Sequence, residues 1–379
     1  MILVTLALSS PVLAQTSSFD GFLTLRGINA SGPLTWLERG DGRMDASGGT
    51  GSGIAQVGGD WAPSDHFAVH AQLLGRMEPS RESASHAGVV EAYVEASGGG
   101  WQIRAGQFFL PTSRENIAPL WTSPYTLSLS AFNSWIAQEF RPIGVDLQWK
   151  GEHLTLAGTA FRGNDTSGTL LGWRGWTIGN RVSVLGETLP LPPLPPFPSQ
   201  KNGTEAFGRD LDGRTGFAER IRWSVPSRAL IQFAHSDNRG DRELYHGQYS
   251  WRTRFDVLSV EGGSADGTKF VAEFAKGDTG MGFPPAAFVQ ADISSGYFLV
   301  SQKVGTARIS GRYDVFSMID RDHSIGGNTT EHGRAWVLAW LIDLSPHVRA
   351  GAEFAQVTGH RNASFDGRSV IVELRYALR

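Results

Sequence analysis

Arginine supplies most of the fixed positive charge in this 379-residue chain, since lysine occurs only at positions 150, 201, 269, 276 and 303. A guanidinium keeps its charge at any relevant pH and offers a planar fork of donors that fits carboxylate or phosphate oxygens. Arg104, Arg220, Arg222, Arg252, Arg254, Arg308, Arg312 and Arg349 all fall in segments that alternate polar and apolar residues, so each shares a face with other polar groups. Ladders of such cations along a pore select anions. Arg114 and Glu115 lie on a long connection between two such segments, and Glu115, Asp146 and Asp314 are the carboxylates placed to oppose the arginines. The same set has a second reading, in which opposed charges set a transverse field with weak or cationic selectivity.

The stretch from Arg104 to Asp146 is the part of the chain that has to place Arg114 and Glu115. It begins and ends as strand-like alternation. Its middle holds Pro111, Pro119, Pro124, Trp121 and Trp135, which is too apolar for a solvated turn. A loop of this length in a compact structure has to be covered, and folding into the lumen of a barrel covers it.

The rest of the chain supplies that barrel. Period-two segments fall at 19–27, 51–61, 66–76, 86–96, 101–109, 142–150, 153–161, 215–224, 228–236, 247–260, 268–276, 289–302, 306–316, 334–343, 348–358 and 369–378. The connections between them alternate strictly between short and long. The longest are 110–141, read as a constriction loop, and 162–214, read as a large extracellular loop. Short turns on one rim and long loops on the other are the arrangement of an outer-membrane barrel, whose short turns face the periplasm. The fold class expected is all-β, a transmembrane antiparallel barrel of about 16 strands. Trp61, Trp101, Trp149 and Trp223 lie beside short turns and share parity with the apolar residues of their segments, as an interfacial girdle requires.

Composition agrees with this. Gly 47, Trp 12 and only 19% charged residues suit many short strands, and no apolar run reaches the roughly 18 residues of a spanning helix. Residues 1–14 read as a secretory signal peptide cut after Ala14, which leaves 15–379 as the barrel. With Cys 0, thiolate metal sites and disulfides are excluded. No metal or cofactor is expected, and His66 with His70 on one face lacks a third ligand. A formal charge of -3 gives no reason to expect nucleic acid. No Gly-x-Ser-x-Gly signature supports a hydrolase, which stays a minor alternative beside an adhesin or structural barrel working through its long loops.

Cost decides the facing of each segment, because a cation on the lipid face at mid-membrane costs roughly 2 to 4 kcal/mol. Phe67, Val69, Ala71 and Leu73 are therefore expected outside and His66, His70, Gln72 and Arg76 inside, with Ile309, Tyr313 and Val315 outside and Arg308, Arg312 and Asp314 inside. The same sorting directs Arg104, Asp146, Lys150, Arg220, Arg222, Arg252, Arg254, Asp256, Lys269, Glu273, Arg349, Glu353, Glu373 and Arg375 into a polar lumen. Glu219 resists, since it shares parity with Phe217, Ile221 and Trp223. A β-bulge or a subunit interface would account for it.

The segment IRAGQFFLPTSREN, followed by EFRPIGVDLQWKG, resembles the fifth strand, constriction loop and sixth strand of phosphate-selective (OprO/OprP-like) Gram-negative porins. ISGRYDVFSMID and the segments after it resemble closing strands of related porins. The resemblance implies a sixteen-stranded barrel in the bacterial outer membrane, surrounded by outer-membrane lipid. It further implies a homotrimer that conducts small anionic solutes by passive diffusion. The chain departs from the family in ending Tyr376-Ala377-Leu378-Arg379 rather than in Phe and in its scarcity of lysine. Porin architecture is carried over; phosphate specificity is not.

Overall fold

The computed structural model describes residues 16–78, 87–194, 196–225, 228–285, 288–322 and 329–378. The signal-peptide reading of residues 1–14 lies outside them. Sixteen antiparallel strands close into one barrel. They are β1 Thr16–Ser31, β2 Gly48–Ser64, β3 Phe67–Met77, β4 Ala87–Gly98, β5 Trp101–Gln107, β6 Ile143–Lys150, β7 Leu154–Arg162 and β8 Gly216–Val225, then β9 Ala229–Asp237, β10 Arg252–Gly263, β11 Thr268–Met281, β12 Val289–Val304, β13 Ala307–Asp320, β14 Glu331–Asp343, β15 Val348–Arg361 and β16 Ala363–Leu378. Every expected segment is a strand. Each strand pairs with its sequence neighbour, and β1 closes on β16 with Gly21 opposite Leu378.

Sequence chemistry explains the two unlike rims. Between β4 and β5 the chain reverses through Gly99 and Gly100, with φ 60° and 84°. A two-residue hairpin turn needs positive φ at both central positions, which glycine adopts without strain. Such turns keep one rim flat. At the other rim the connections 108–142 and 163–215 do not project outward but fold back into the barrel. The first carries a short helix, α1 Ala131–Glu139, whose N-cap Ser130 accepts a hydrogen bond from the Asn133 N–H. It stops at Phe140 because Pro142 disfavours helical geometry at the residue before it. The second carries α2 Thr169–Arg174.

Alternation sorts the wall. Leu73, Ile309, Val315 and Trp223 face out with their neighbours. Trp61, Trp101 and Trp223 are about half exposed beside their short turns, and Trp149 is half-buried. Glu219 also faces out. β8 pairs with β7 and β9 without a register shift, which removes the bulge explanation.

One expectation fails in an informative place. Arg252, Arg254 and Asp256 of β10 face outward, whereas Thr253, Phe255, Val257, Ser259 and Glu261 face in. The charge rule holds at mid-membrane, but these residues begin a strand at the long-loop rim. There the interior is apolar and the exterior polar. Phe255 lies 5.2 Å from Trp135 and 5.1 Å from Phe140 by ring centroid. Inward residues that end their strands at this rim, among them Phe161, Ala234, Ile293, Met318, Val337 and Phe365, belong to one buried core with Phe132, Trp135, Ile136, Trp176 and Ile178 of the two loops. The polar interior expected throughout is therefore interrupted at this rim by an apolar core. A second core joins Leu189, Leu191 and Phe197 of the proline-rich stretch to Trp36, Trp173 and Trp251, which anchors that stretch over the barrel mouth.

Candidate functional site

Loop 108–142 is pinned to the wall by charged groups that alternation directs inward. Arg312 of β13 is wholly buried. It donates to Glu115 Oε1 at 2.7 Å, Asp314 Oδ2 at 2.8 Å, the Ser128 carbonyl at 2.7 Å and the Leu129 carbonyl at 3.0 Å. Glu115 also accepts from the Ser130 hydroxyl at 2.7 Å and Asn133 Nδ2 at 2.6 Å. Asp314 accepts from the Ala131 N–H. Glu353 receives the Leu127 N–H at 2.6 Å and the Ser128 N–H. Glu273 receives the Ser113 hydroxyl at 2.6 Å and the Arg114 N–H at 2.7 Å. Charge-assisted bonds of this kind are among the stronger ones available.

Arg312, Glu115 and Asp314 thus hold the loop in place and do not face solute. Arg114 is not neutralised by its neighbour, because it pairs with Glu261 at 3.1 Å. Glu273 and Glu353 were placed in the lumen by parity without a role. Their signal was a run of Ser and Thr, from Thr112 to Ser130, lying opposite inward carboxylates.

The second infolded loop rests on the first. Glu139 accepts from Trp135 Nε1 at 2.8 Å and from the N–H groups of Leu170 at 2.9 Å and Gly168 at 3.2 Å, joining α1 to the start of α2. Burial outweighs these bonds and pushes its carboxyl up to about 7. Arg141 caps the other side, donating to the Ala137 carbonyl at 2.6 Å and stacking 3.8 Å from the Phe207 ring. Burial pulls it down to about 9.

What stays open in the upper lumen is narrow and off-centre. A cavity of about 70 Å³ runs between β1, β2, β3 and β16 on one side and residues 121–129 and 180–182 of the loops on the other. At roughly 10 to 15 Å³ per water centre, that admits about five waters. Four guanidiniums line it: Arg26, Arg76, Arg181 and Arg375. Each has a carboxylate. Arg26 and Arg375 share Glu373, at 3.0 Å for each. Arg181 reaches Glu78 at 2.7 Å, and both Arg76 and Arg181 bond Glu187. Asp45 also lines the passage, so its charges balance. Arg76 and Arg375 were assigned to the lumen by parity. Arg26, Asp45 and Arg181 were missed; Arg26 shares its face with Thr24 and was legible, but Arg181 lies in a loop without periodicity.

Below this passage the short-turn half holds the remaining expected residues. Arg104 pairs with Asp146 at 2.9 Å, and Asp146 also accepts from Thr159 at 2.7 Å. Arg220 donates to Gln148 at 2.9 Å, Arg222 to Gln232 at 2.8 and 2.7 Å, and Arg308 to Ser301 at 2.8 Å. These last three have no carboxylate partner among the described residues. Arg349 pairs with Asp343 at 2.7 Å close to the short-turn rim. His70 bonds Asp60 at 2.8 Å and His66 bonds the Ser97 carbonyl, so the two histidines do not converge.

No family model and no curated protein matches the sequence. Solved structures do match. A loop-deletion form of OmpT, an outer membrane protein of Vibrio cholerae, has a TM-score of 0.58 at 8% identity, covering 96% of this chain and 99% of that one. An anion-selective porin from Comamonas acidovorans has 0.58 at 9%, covering 96% and 100%. OmpF of Salmonella typhi has 0.58 at 11%, covering 96% and 97%. At these identities the likeness establishes the fold, which is that of bacterial outer-membrane porins, along nearly the whole chain.

Proposed function

We propose that this protein is an outer-membrane channel that lets small hydrophilic solutes diffuse passively and prefers anions. The carrying observation is a group of arginines in the short-turn vestibule that make no ion pair among the described residues. Arg220, Arg222 and Arg308 face the lumen on neutral hydrogen-bond partners, and cations along a low-dielectric wall raise the local anion concentration. The passage above, with its charges paired, acts as a filter for size. Kinship with phosphate-selective porins is proposed on the Gly106-Gln107 to Ser113 segment, and it extends to anion preference but not to phosphate specificity.

Membrane location is supported by the outward apolar band and by the porin fold. A homotrimer is supported by the trimer form of OmpT, which shares this fold. The packed core at the mouth favours a second reading, a surface barrel acting through its loops. Planar-bilayer recording separates the two. The channel should give small stepwise conductances and, in a salt gradient, a reversal potential of anionic sign. Folded protein without steps would favour the surface barrel, and a cationic reversal potential would remove the anion preference.

A further inference from the structure

The outer wall at the long-loop rim is divided into two arcs. On β1 to β6 the outward residues there carry no charge, for example Gly51, Met77, Ile143 and Val145. From β9 to β16 they are charged. On β9 to β13 the charges are matched across strands: Arg252 with Asp237 at 3.0 Å, Arg254 with Asp278 at 2.5 Å, and Arg321, just past β13, with Asp292 at 2.7 Å. On β14 to β16 they are not. Arg334 and Arg368 are exposed and have no carboxylate partner among the described residues, and the one acidic neighbour on this face, Asp366, bonds Gln356.

Strand position places these arginines at the upper edge of the apolar band. Arg368 lies ten residues above the lower end of β16, which at about 3.3 Å each and a tilt near 40° is a rise of roughly 25 Å, the height of the apolar band. Register adds an amphiphilic order. Arg334 is level with Thr358, and Trp336, one outward step down, is level with Gln356 and through it with Arg368. Trp336 is 60% exposed and lies 4.2 Å from Tyr313 by ring centroid at a tilt of 42°, with Leu338, Phe354 and Val370 continuing the apolar surface. Two cations roughly 12 Å apart, by strand spacing and rise, therefore stand at the upper edge of an aromatic and aliphatic face, Arg334 above Trp336 and Arg368 beside it.

We infer that the outward face of β14 to β16 binds phosphate-bearing lipid of the outer leaflet, with Arg334 and Arg368 holding headgroup phosphate and the Trp336 face holding acyl chain. This rests on the outer-membrane location proposed above. The matched charges on β9 to β13 contribute little net attraction, so the phosphate-holding arc is narrow. Its opposite, the uncharged arc of β1 to β6, is poorly suited to headgroups.

The test uses the full-length protein reconstituted in phosphatidylcholine vesicles containing a minor share of lipid A, then extracted in mild detergent, with retained lipid counted by mass spectrometry. Wild type should keep lipid A in preference to phosphatidylcholine. Arg334→Gln and Arg368→Gln should each lower retention about fivefold, from the typical worth of one cation near an anionic surface, and Arg252→Gln should change it less. An Arg334→Gln, Arg368→Gln double variant retaining as much lipid A as wild type would overturn the inference. So would displacement of bound lipid by inorganic phosphate alone, which would mark a free-anion site. Chloride conductance of the same samples reports folding and the lumen separately: conductance with no lipid preference defeats the lipid surface alone, and lipid preference with no conductance defeats the channel alone. Should the double variant fail to fold, the single Arg368→Gln variant decides.

Discussion

The two halves of the lumen are built on opposite rules. Toward the long-loop rim the wall offers Phe255, Ile293, Met318 and Val337 to a core shared with two infolded loops, as in the interior of a soluble domain. Toward the short-turn rim the same strands offer Ser259, Glu261, Arg308 and Ser310 to hydrogen bonds and ion pairs. Arg312, Glu273 and Glu353 lie where the two meet. Sealing and selecting are thus separate jobs given to different lengths of the same strands, and a small cavity survives beside β1 to β3, where the wall facing the loops is polar.

The strongest way to break this division is to cut the join. Arg312→Met leaves Glu115 and Asp314 buried without their cation, and losing one partner of a buried pair typically costs about 3 to 5 kcal/mol. Thermal unfolding in detergent should register that loss, and single-channel conductance should rise as residues 126–129 leave the wall; an unchanged conductance would mean that Arg312 does not set the width of the passage. Trp135→Ala attacks the sealed half directly. Truncating a buried tryptophan costs about 3 to 5 kcal/mol, and the loosened core should raise conductance several-fold while leaving the sign of selectivity intact.

A gentler probe is pH. Glu139 lies outside the spanning strands, and burial raises its carboxyl from 4.5 to about 7 in the folded protein. The folded state therefore holds the proton more tightly. Its contribution is fully present below about 4.5 and is lost as pH rises through about 7, up to roughly 3 kcal/mol for a shift of this size. Unfolding midpoints should fall across that window, and Glu139→Gln should flatten the slope; a slope unchanged in the variant would assign it to other groups. The smallest effect on stability, and the most specific to the selecting half, is expected from Arg220→Gln with Arg222→Gln. Their partners are neutral, so no carboxylate is stranded. The anion-to-cation permeability ratio should move toward unity with conductance nearly kept, as read from reversal potentials.

Most of the barrel was legible in the sequence, because period-two alternation and turn spacing are local properties. The sixteen strands, the two long connections and the inward parity of Arg104, Asp146, Arg220, Arg308 and Arg312 can all be read without the fold. What could not be read is depth along the strand. The rule that keeps charge off lipid has force only within the apolar band, so it misassigned Arg252, Arg254 and Asp256, which begin β10 above that band. Nor does parity distinguish an inward cation that meets solute from one that meets a loop. Arg312 and Arg308 are four residues apart on one face, yet loop 108–142 wholly buries the first and meets the second only through the Tyr125 ring, 5.6 Å away. Arg181 escaped notice because it lies in loop 163–215, whose path is set by distant contacts such as the bond from Trp176 Nε1 to the Ser317 carbonyl.

The shared core has a consequence for how the barrel is made. Ala30 of β1 and Phe365 of β16 both belong to it, together with residues of the two infolded loops. These are the strands whose pairing shuts the ring, from Gly21 opposite Leu378 to Ser31 opposite Arg368. Until that seam forms, each strand carries an unpaired edge, which is a template for misassociation. A core that grips both edges acts as a mandrel for closure: the central part of the chain brings the first and last strands together, so insertion of the loops and sealing of the wall become one cooperative event.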